Sequence, residues 1–576
     1  MNNKSGHHSP ISGISTFKDE LVATAGYDNQ VILWNRLNKE ILARAKHKHL
    51  VNSCEFSPDG RFLATASSDY TVRIWEIPSL QNHTIFRSHQ DDVEMVTFHP
   101  SKPLIASASR DRSVQIHNIK TGSSQLLGHH NSDALSVAWS KDGDHLISTG
   151  DDGILRKWCH EKGQELNQYY FGNVETDTIA IINEQTIYAG NDKGEIVCIL
   201  NGKKSIIKAH DSGVKRIVVS PSLGFIVSMS YDRSVKIWRI NDKQHLSLES
   251  TAILPWIVWP RSCAFATDEY IVFGTFGTTY VTLNWPRQSW DTRGYDSTKG
   301  LNHVFPTKAG FLTCGDAGEV LLNQSQVGNV PSLLNFSFEV EGNVYAGGQT
   351  GALYNVKDQQ IVYQHYSPLN CFVFDSDKEP KNIYIGSYTG DLLKFSISDS
   401  GKIMFEKLIK IHQNAIKSLS SNASLLFSLC ADTSVSFYSL TDLSLIKYYK
   451  NGHEKIANGA TWIGNDIFAS VSRDLKIRFW SINSIEKISS PHSHSIKCIS
   501  TDLEKNWLAT GSYDGTVCIY NLKQSKFVNK LSLSSSGISS IHSSNIDKTF
   551  IASSYNGLLY QVHIKNEMGS CSISTI

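Results

Sequence analysis

The sequence predicts an all-β repeat architecture, and three observations carry that prediction. The first is a strand–turn–strand figure, Ala64-Thr65-Ala66-Ser67-Ser68-Asp69-Tyr70-Thr71-Val72-Arg73-Ile74-Trp75. Small and β-branched residues approach a tight turn that holds Asp69, and alternating Val72 and Ile74 leave it for Trp75. The second is recurrence: the figure returns at Asp28 to Trp34, Asp111 to His117, Asp232 to Trp238, Asp474 to Trp480 and Asp514 to Tyr520. The third is that no long helical pattern, linker or low-complexity tail interrupts the series.

Aligning every unit on the position of Asp69 gives Asp28, Asp69, Asp111, Asp152, Lys193, Asp232, Gly277, Ala317, Thr350, Thr389, Asp432, Asp474, Asp514 and Asn556. These are fourteen units about 41 residues apart, the period of a four-stranded blade. Four positions before the turn a small hydroxyl recurs, as Thr24, Thr65, Ser107, Ser148, Ser228, Ser428, Ser470 and Thr510. A histidine precedes most first strands, read as His49, His89, His129, His210, His412, His453 and His494. One ring commonly holds about four to eight blades, so fourteen divide into two seven-bladed rings. The expected domains are 1–295 and 296–576, joined through the polar, glycine-bearing run 290–300. A terminal strand completing the blade at the other end of the chain is left open as a way of closing a ring. Residues 1–9 are expected to be disordered.

These residues resemble the WD40-repeat family over nearly the whole chain, and blade 2 also carries the family's Ser57-Pro58-Asp59-Gly60 turn. The resemblance implies two tandem seven-bladed WD40-type β-propellers. It also implies a hydrogen-bonded tetrad in a blade, placed on His49, Thr65, Asp69 and Trp75, with a second on His210, Ser228, Asp232 and Trp238. Tandem rings resemble the architecture of actin-interacting protein of the double-propeller type, and no motif carries actin binding across. Physically, a carboxylate between packed blades needs donors, which His, hydroxyl and indole N–H supply. The histidines and turn aspartates are therefore read as structural rather than catalytic.

The pattern breaks in blades 7 to 10. There the turn position is Gly277, Ala317, Thr350 and Thr389, and the closing Trp becomes Leu283, Asn323, Val356 and Phe395. Drift is one reading. The other is function, because the start of the first strand and the residue before the turn face the same loop-ringed side of a blade. On blades 8 to 10 those positions are Asn302, Asn335 and Asn370 with Asp316, Gln349 and Tyr388. A ring of carboxamides there suits recognition of a backbone or a small polar ligand. Blade 7 concentrates Trp256, Trp259, Trp285 and Trp290 with Arg261, Phe276 and Tyr280. Trp259, Arg261 and Phe276 are candidate binding anchors; filling the space between rings, or replacing the lost tetrad, is the alternative.

Composition bounds the function. Lys and Arg number 55 against 54 Asp and Glu, a net charge of +1. That provides no global basic field, so nucleic acid is an unlikely partner, and Lys215, Lys417 and Lys497 at the starts of first strands are thin support for it. Ten scattered Cys without CxxC pairs fit buried reduced thiols and a cytoplasmic protein. No signal-peptide pattern and no apolar run of membrane-spanning length is present, so no membrane insertion is expected. Phosphate-loop, dinucleotide, HExxH and GxSxG motifs are missing, and no metal or cofactor set is read. The expected function is a non-catalytic protein–protein interaction scaffold presenting loop faces to protein or peptide partners. The alternative is a small-molecule-binding protein or enzyme with a polar pocket in the channel of the second ring.

Overall fold

The structure is a computed structural model that describes residues 6–576 except 173, 184, 377–378 and 567–568. Its strands form fourteen four-stranded antiparallel sheets, each made of four consecutive strands. The first is Ile11–Phe17, Leu21–Gly26, Gln30–Asn35 and Ile41–Lys46, and the last ends with Cys571–Thr575. Among the described residues no strand is lent between the chain ends: each sheet is made of consecutive strands. The chain divides into two compact units, Met1–Thr298 and Lys299–Ile576. Within the first unit the innermost strand of blade 7 lies against that of blade 1, and within the second blade 14 lies against blade 8. Both units are thus closed rings of seven blades. The division falls three residues beyond the expected one. Gly277 bridges Ser297, and Thr298 Oγ1 donates to Phe276 O, tying this stretch to blade 7.

The hydrophobic core lies between blades rather than within them. Ala23 and Leu33 of blade 1 meet Val51, Leu63 and Trp75 of blade 2 in one buried cluster, and the motif repeats around each ring. Side chains alternate along each strand, so a blade offers an apolar side to each neighbour. Most outer strands alone are widely exposed, as in Gln164–Tyr170.

The polar chains that cross the blades follow one sense. In blade 2, Trp75 Nε1–H donates to Thr65 Oγ1 at 2.8 Å, Thr65 meets His47 Nε2 at 2.7 Å, and His47 Nδ1–H donates to Asp69 at 3.1 Å. The residue is His47, not His49 as read from the sequence. The run Lys46-His47-Lys48-His49 offers two rings, and only the one 18 residues before the hydroxyl reaches under the blade. The same spacing of 18 residues places His130 rather than His129, and His492 rather than His494, against Ser148 and Thr510. His210, Ser228, Asp232 and Trp238 form the equivalent chain in blade 6. Residues 1–5 lie outside the described residues, but His7 is fully buried and bonds Asp28 and Thr24, so the expected disorder does not extend to it. In blade 3, His117 replaces Trp and bonds Ser107 at 2.7 Å.

These groups make the fold acid-sensitive in two stages. Burial, with His89 nearby, brings His117 down to about 3; burial also brings His542 to about 4, and His412 to about 4 despite Asp432. Burial opposes ionisation of Asp28 and Asp232, but His7 and His210 with neighbouring N–H donors overcome it and bring both to about 2. In each case the unfolded chain binds the proton first, so stability falls as pH falls. Urea unfolding against pH is expected to show loss beginning below the ordinary His value of 6.5 and a further loss between 3.8 and about 2. His47→Ala is expected to cost about 1–3 kcal/mol in the same assay, and more than His49→Ala.

Candidate functional site: the mouths of the two rings

One backbone hydrogen bond recurs in all fourteen blades. The N–H of the residue just before the turn donates to the carbonyl just before the first strand, as in Ser68 to Leu50, Asp192 to Glu175, Tyr388 to Pro368 and Tyr555 to Gly537. Next to it the first strand carries a one-residue bulge in most blades. In blade 2, Val51 pairs Ser67 and Ser53 pairs Ala66, leaving Asn52 as the extra residue. A bulge re-aims its extra side chain. Here it turns that residue, with the pre-turn residue beside it, toward the mouth of the ring. Asn302, Asn335, Asn370, Lys417, Asn458 and Lys497 are the extra residues of blades 8 to 13. The two positions read from the sequence as facing one side therefore do stand together.

The carboxamides, however, are engaged. Asn335 Nδ2 donates to Leu369 O at 2.7 Å and Asn370 Nδ2 to Ile416 O at 2.6 Å. Asn302 Nδ2 donates both to Leu334 O and to Asp316 Oδ1, each at 3.0 Å. Each acceptor carbonyl opens the first strand of the next blade. Asn52 and Asn458 repeat the contact on Val93 O and Ile496 O. The expectation of a carboxamide ring free for a ligand is corrected: the amide N–H groups join blades, each donating to the carbonyl that opens the first strand of the next blade. Gln349 is buried and its Nε2 donates to Tyr388 Oη at 3.4 Å.

At the mouth of the first ring, Trp259 is half-buried, edge-on to Tyr27 at 5.0 Å and covered by the Arg261 guanidinium at 5.6 Å. Phe276 is buried beneath it, so it supports Trp259 rather than offering a surface of its own. Trp285 is buried and donates to Asp268 O, while Trp256 and Trp290 pack on the blade 7 core. These three are structural within the first unit. Arg261 reaches from blade 7 to Glu94 of blade 3 at 3.0 Å, and Arg110 bonds the same carboxylate at 2.5 Å and Asp133 at 2.7 Å. Lys215 pairs with Asp177 at 2.6 Å, with Asp192, and with Glu175 at 3.6 Å. These three carboxylates have the spacing of a cation site, and the Lys215 ammonium stands among them. Burial alone depresses Lys215, but Asp177, Asp192 and Glu175 raise it well above its ordinary value. Asp151 is pushed well up by burial and then by Glu175 and Asp133. The second cluster of ligand atoms, His412, Cys430 and Asp432, has both His412 nitrogens on Ser428 and Ser434. A cavity of about 630 Å³ in the first unit is lined by Cys54, Glu55, Arg216 and Cys263, and burial raises Glu55 to about 7.

Sequence reasoning missed Asp391. Blade 10 lacks the turn Asp, yet Asp391 is buried two residues later, accepting from Tyr366 Oη at 2.6 Å and Thr389 Oγ1 at 2.5 Å, with His365 Nε2 at 3.4 Å. The pair His365-Tyr366 before the first strand was the available signal.

The comparisons bear on the repeats. The family model described as "WD domain, G-beta repeat" matches residues 2–35, 40–76, 80–118, 122–159, 202–239 and 485–521. The Transcriptional corepressor LEUNIG_HOMOLOG of Arabidopsis thaliana is 24% identical over 39% of this chain and 34% of its own length. Nuclear distribution protein PAC1 of Komagataella phaffii is 25% identical over 44% of this chain and 64% of its own. Target of rapamycin complex subunit wat1 of Schizosaccharomyces pombe is 26% identical over 38% and 75%. The matched segment thus spans about a third of the first relative and just under two thirds of the second.

Substitutions separate the two kinds of contact. Arg110→Ala removes the ion pair of Asp133 and leaves Glu94 with Arg261 alone, and is expected to lower first-unit stability by about 3 kcal/mol. Asn370→Ala is expected to cost about 1 kcal/mol, read by urea unfolding.

Proposed function

We propose that this chain, which carries WD40 repeats, is a non-catalytic scaffold that holds protein or peptide partners on the loop faces of its two rings. The observation that carries the reading is the bulge at the mouth: a rigid sheet aims two side chains per blade at one face, on a backbone held by the same hydrogen bond in every blade. Such a surface binds without reordering, which favours recognition. The paired charges of the first mouth support binding over chemistry, because Arg110, Lys215 and Arg261 already neutralise the carboxylates that a general base would need. The relatives' names, a corepressor and a subunit of a complex among them, support an assembly role. All ten cysteines are unpaired, which supports a reducing compartment and a cytoplasmic protein.

A second reading, a small-molecule site, is favoured at a place other than the one marked from sequence. The cavity of about 630 Å³ with Glu55 and Arg216 belongs to the first unit, whereas the carboxamides of the second ring are spent between blades.

The test is gentle affinity capture of the tagged full chain from its native cells, with protein and small-molecule mass spectrometry on one eluate. A protein is expected to co-purify and to be lost, by tenfold or more in yield as an order-of-magnitude expectation for a central aromatic anchor, from a folded Trp259→Ala or Tyr388→Ala variant. A bound small molecule with no protein replaces the scaffold by the second reading.

A further inference from the structure

The same two positions of each blade carry opposite charge in the two units. In the first unit the charged residues there are Glu94, Asp151, Asp177 and Asp192 against Arg110 and Lys215. In the second they are Lys417, Arg473 and Lys497 against Asp316. The difference extends to partners. Arg110 and Lys215 rest on carboxylates at the first mouth. Lys417 and Lys497 have no ion-pair or hydrogen-bond partner among the described residues. They are half-buried bulge residues of blades 11 and 13. Asn458 of blade 12 lies between them in the series, tied to Ile496 O, and Arg473 is the pre-turn residue of that same blade. The ring centroid of Tyr388 lies 5.7 Å from Lys417 Nζ. An ammonium taken from water without a counter-charge is costly, and a bound anion offsets that cost.

We propose that the mouth of the second ring binds an anionic group, a carboxylate or a phosphate, carried by a peptide segment of a protein partner, and that Lys417 and Lys497 hold it. This deepens the scaffold reading and rests on it. The neighbouring positions Asn302, Asn335, Asn370 and Tyr388 suit a peptide, since they add a ring face at Tyr388 and no second run of cations. A nucleic-acid strand needs a basic stripe that follows several phosphates, and these cations are confined to one mouth of a chain with net charge +1. The groups that face Lys417 are Lys497, Arg473, Cys371, Cys430 and Tyr388. Burial first, and then Lys497 and Arg473, depress Lys417 to about 7. An anion reverses that shift, so binding takes up a proton and weakens as pH rises through 7.

The experiment uses the full chain and four fluorescein-labelled probes: an octaglutamate peptide, a peptide with phosphoserines at alternate positions, a Gly-Ser peptide, and an oligothymidylate. Fluorescence anisotropy is expected to show binding of the acidic or the phosphorylated peptide, and their ratio tells carboxylate from phosphate. Lys417→Gln with Lys497→Gln is expected to weaken it about tenfold or more. Lys523→Gln with Lys526→Gln, an equal change of charge at exposed sites, is expected to leave it unchanged. A second readout needs no variant: acylation of Lys417 by an amine-reactive ester, followed by mass spectrometry, is expected to be suppressed by the bound peptide. The proposal is overturned if neither anionic peptide binds, if the two double variants behave alike, if Lys417 is not protected, or if only the oligothymidylate depends on Lys417 and Lys497. A partner captured from cells and retained by the Lys417→Gln, Lys497→Gln variant overturns this inference and leaves the scaffold reading standing. Capture of no partner at all removes that reading instead.

Discussion

Everything at the two mouths depends on the backbone hydrogen bond from the pre-turn N–H to the carbonyl that precedes the first strand. It asks nothing of the side chains, so it survives in blades 7 to 10, where the turn aspartate and the closing tryptophan are gone. The neighbouring bulge is its geometric companion. One strand gains a residue while the other does not, and the extra side chain is ejected toward the ring's mouth. Conserving the geometry through the backbone leaves the side chains at those positions at liberty to change. That is how blades of one form can carry Trp259 in one place, Asn335 in another and Lys497 in a third.

The tetrads solve a separate problem. Packing sheets face to face buries the polar connections between them, and each buried donor must find an acceptor. In blades 1, 2, 4 and 6 the chain runs from indole N–H through hydroxyl and imidazole to carboxylate. Blade 12 reaches satisfaction differently. Arg478 donates to His453 Nδ1 at 2.8 Å and to Asp474 at 2.6 Å, inserting itself between the two. Blade 10 uses Asp391, displaced by two residues, with Tyr366 and Thr389 as donors. The requirement is satisfaction of buried groups, not a particular sequence, and a blade that loses one member recruits another nearby.

The mouths show how electrostatics then differentiates two rings of one architecture. In the first, cations and carboxylates from separate blades neutralise one another across the opening, Arg261 reaching Glu94 from four blades along the chain. In the second, Lys417 and Lys497 stand without such partners among the described residues. Paired charges rigidify a surface at a desolvation cost, whereas an unpaired cation near an opening is a standing attraction for an anion.

Much of this was legible in the chain alone. A 41-residue period, β-branched strands and a turn aspartate determined the fourteen blades, because each blade's local pattern is written within its own residues. The division into two rings followed from counting. The two positions could be named from the strand and turn pattern, whereas the bulge that sets them side by side belongs to the structure. What only the tertiary structure decided was which side chains those places leave unspent. His47 rather than His49 reaches Thr65, at a spacing of 18 residues that only the hydrogen bonds of the folded blades reveal. Asn335 and Asn370 looked available and are tied to the next blade. Lys215 and Lys417 look equivalent in sequence, yet the first meets three carboxylates and the second meets none among the described residues. Partners of this kind come from other blades, tens of residues away. Their identity is a property of how the ring closes, which no single repeat contains.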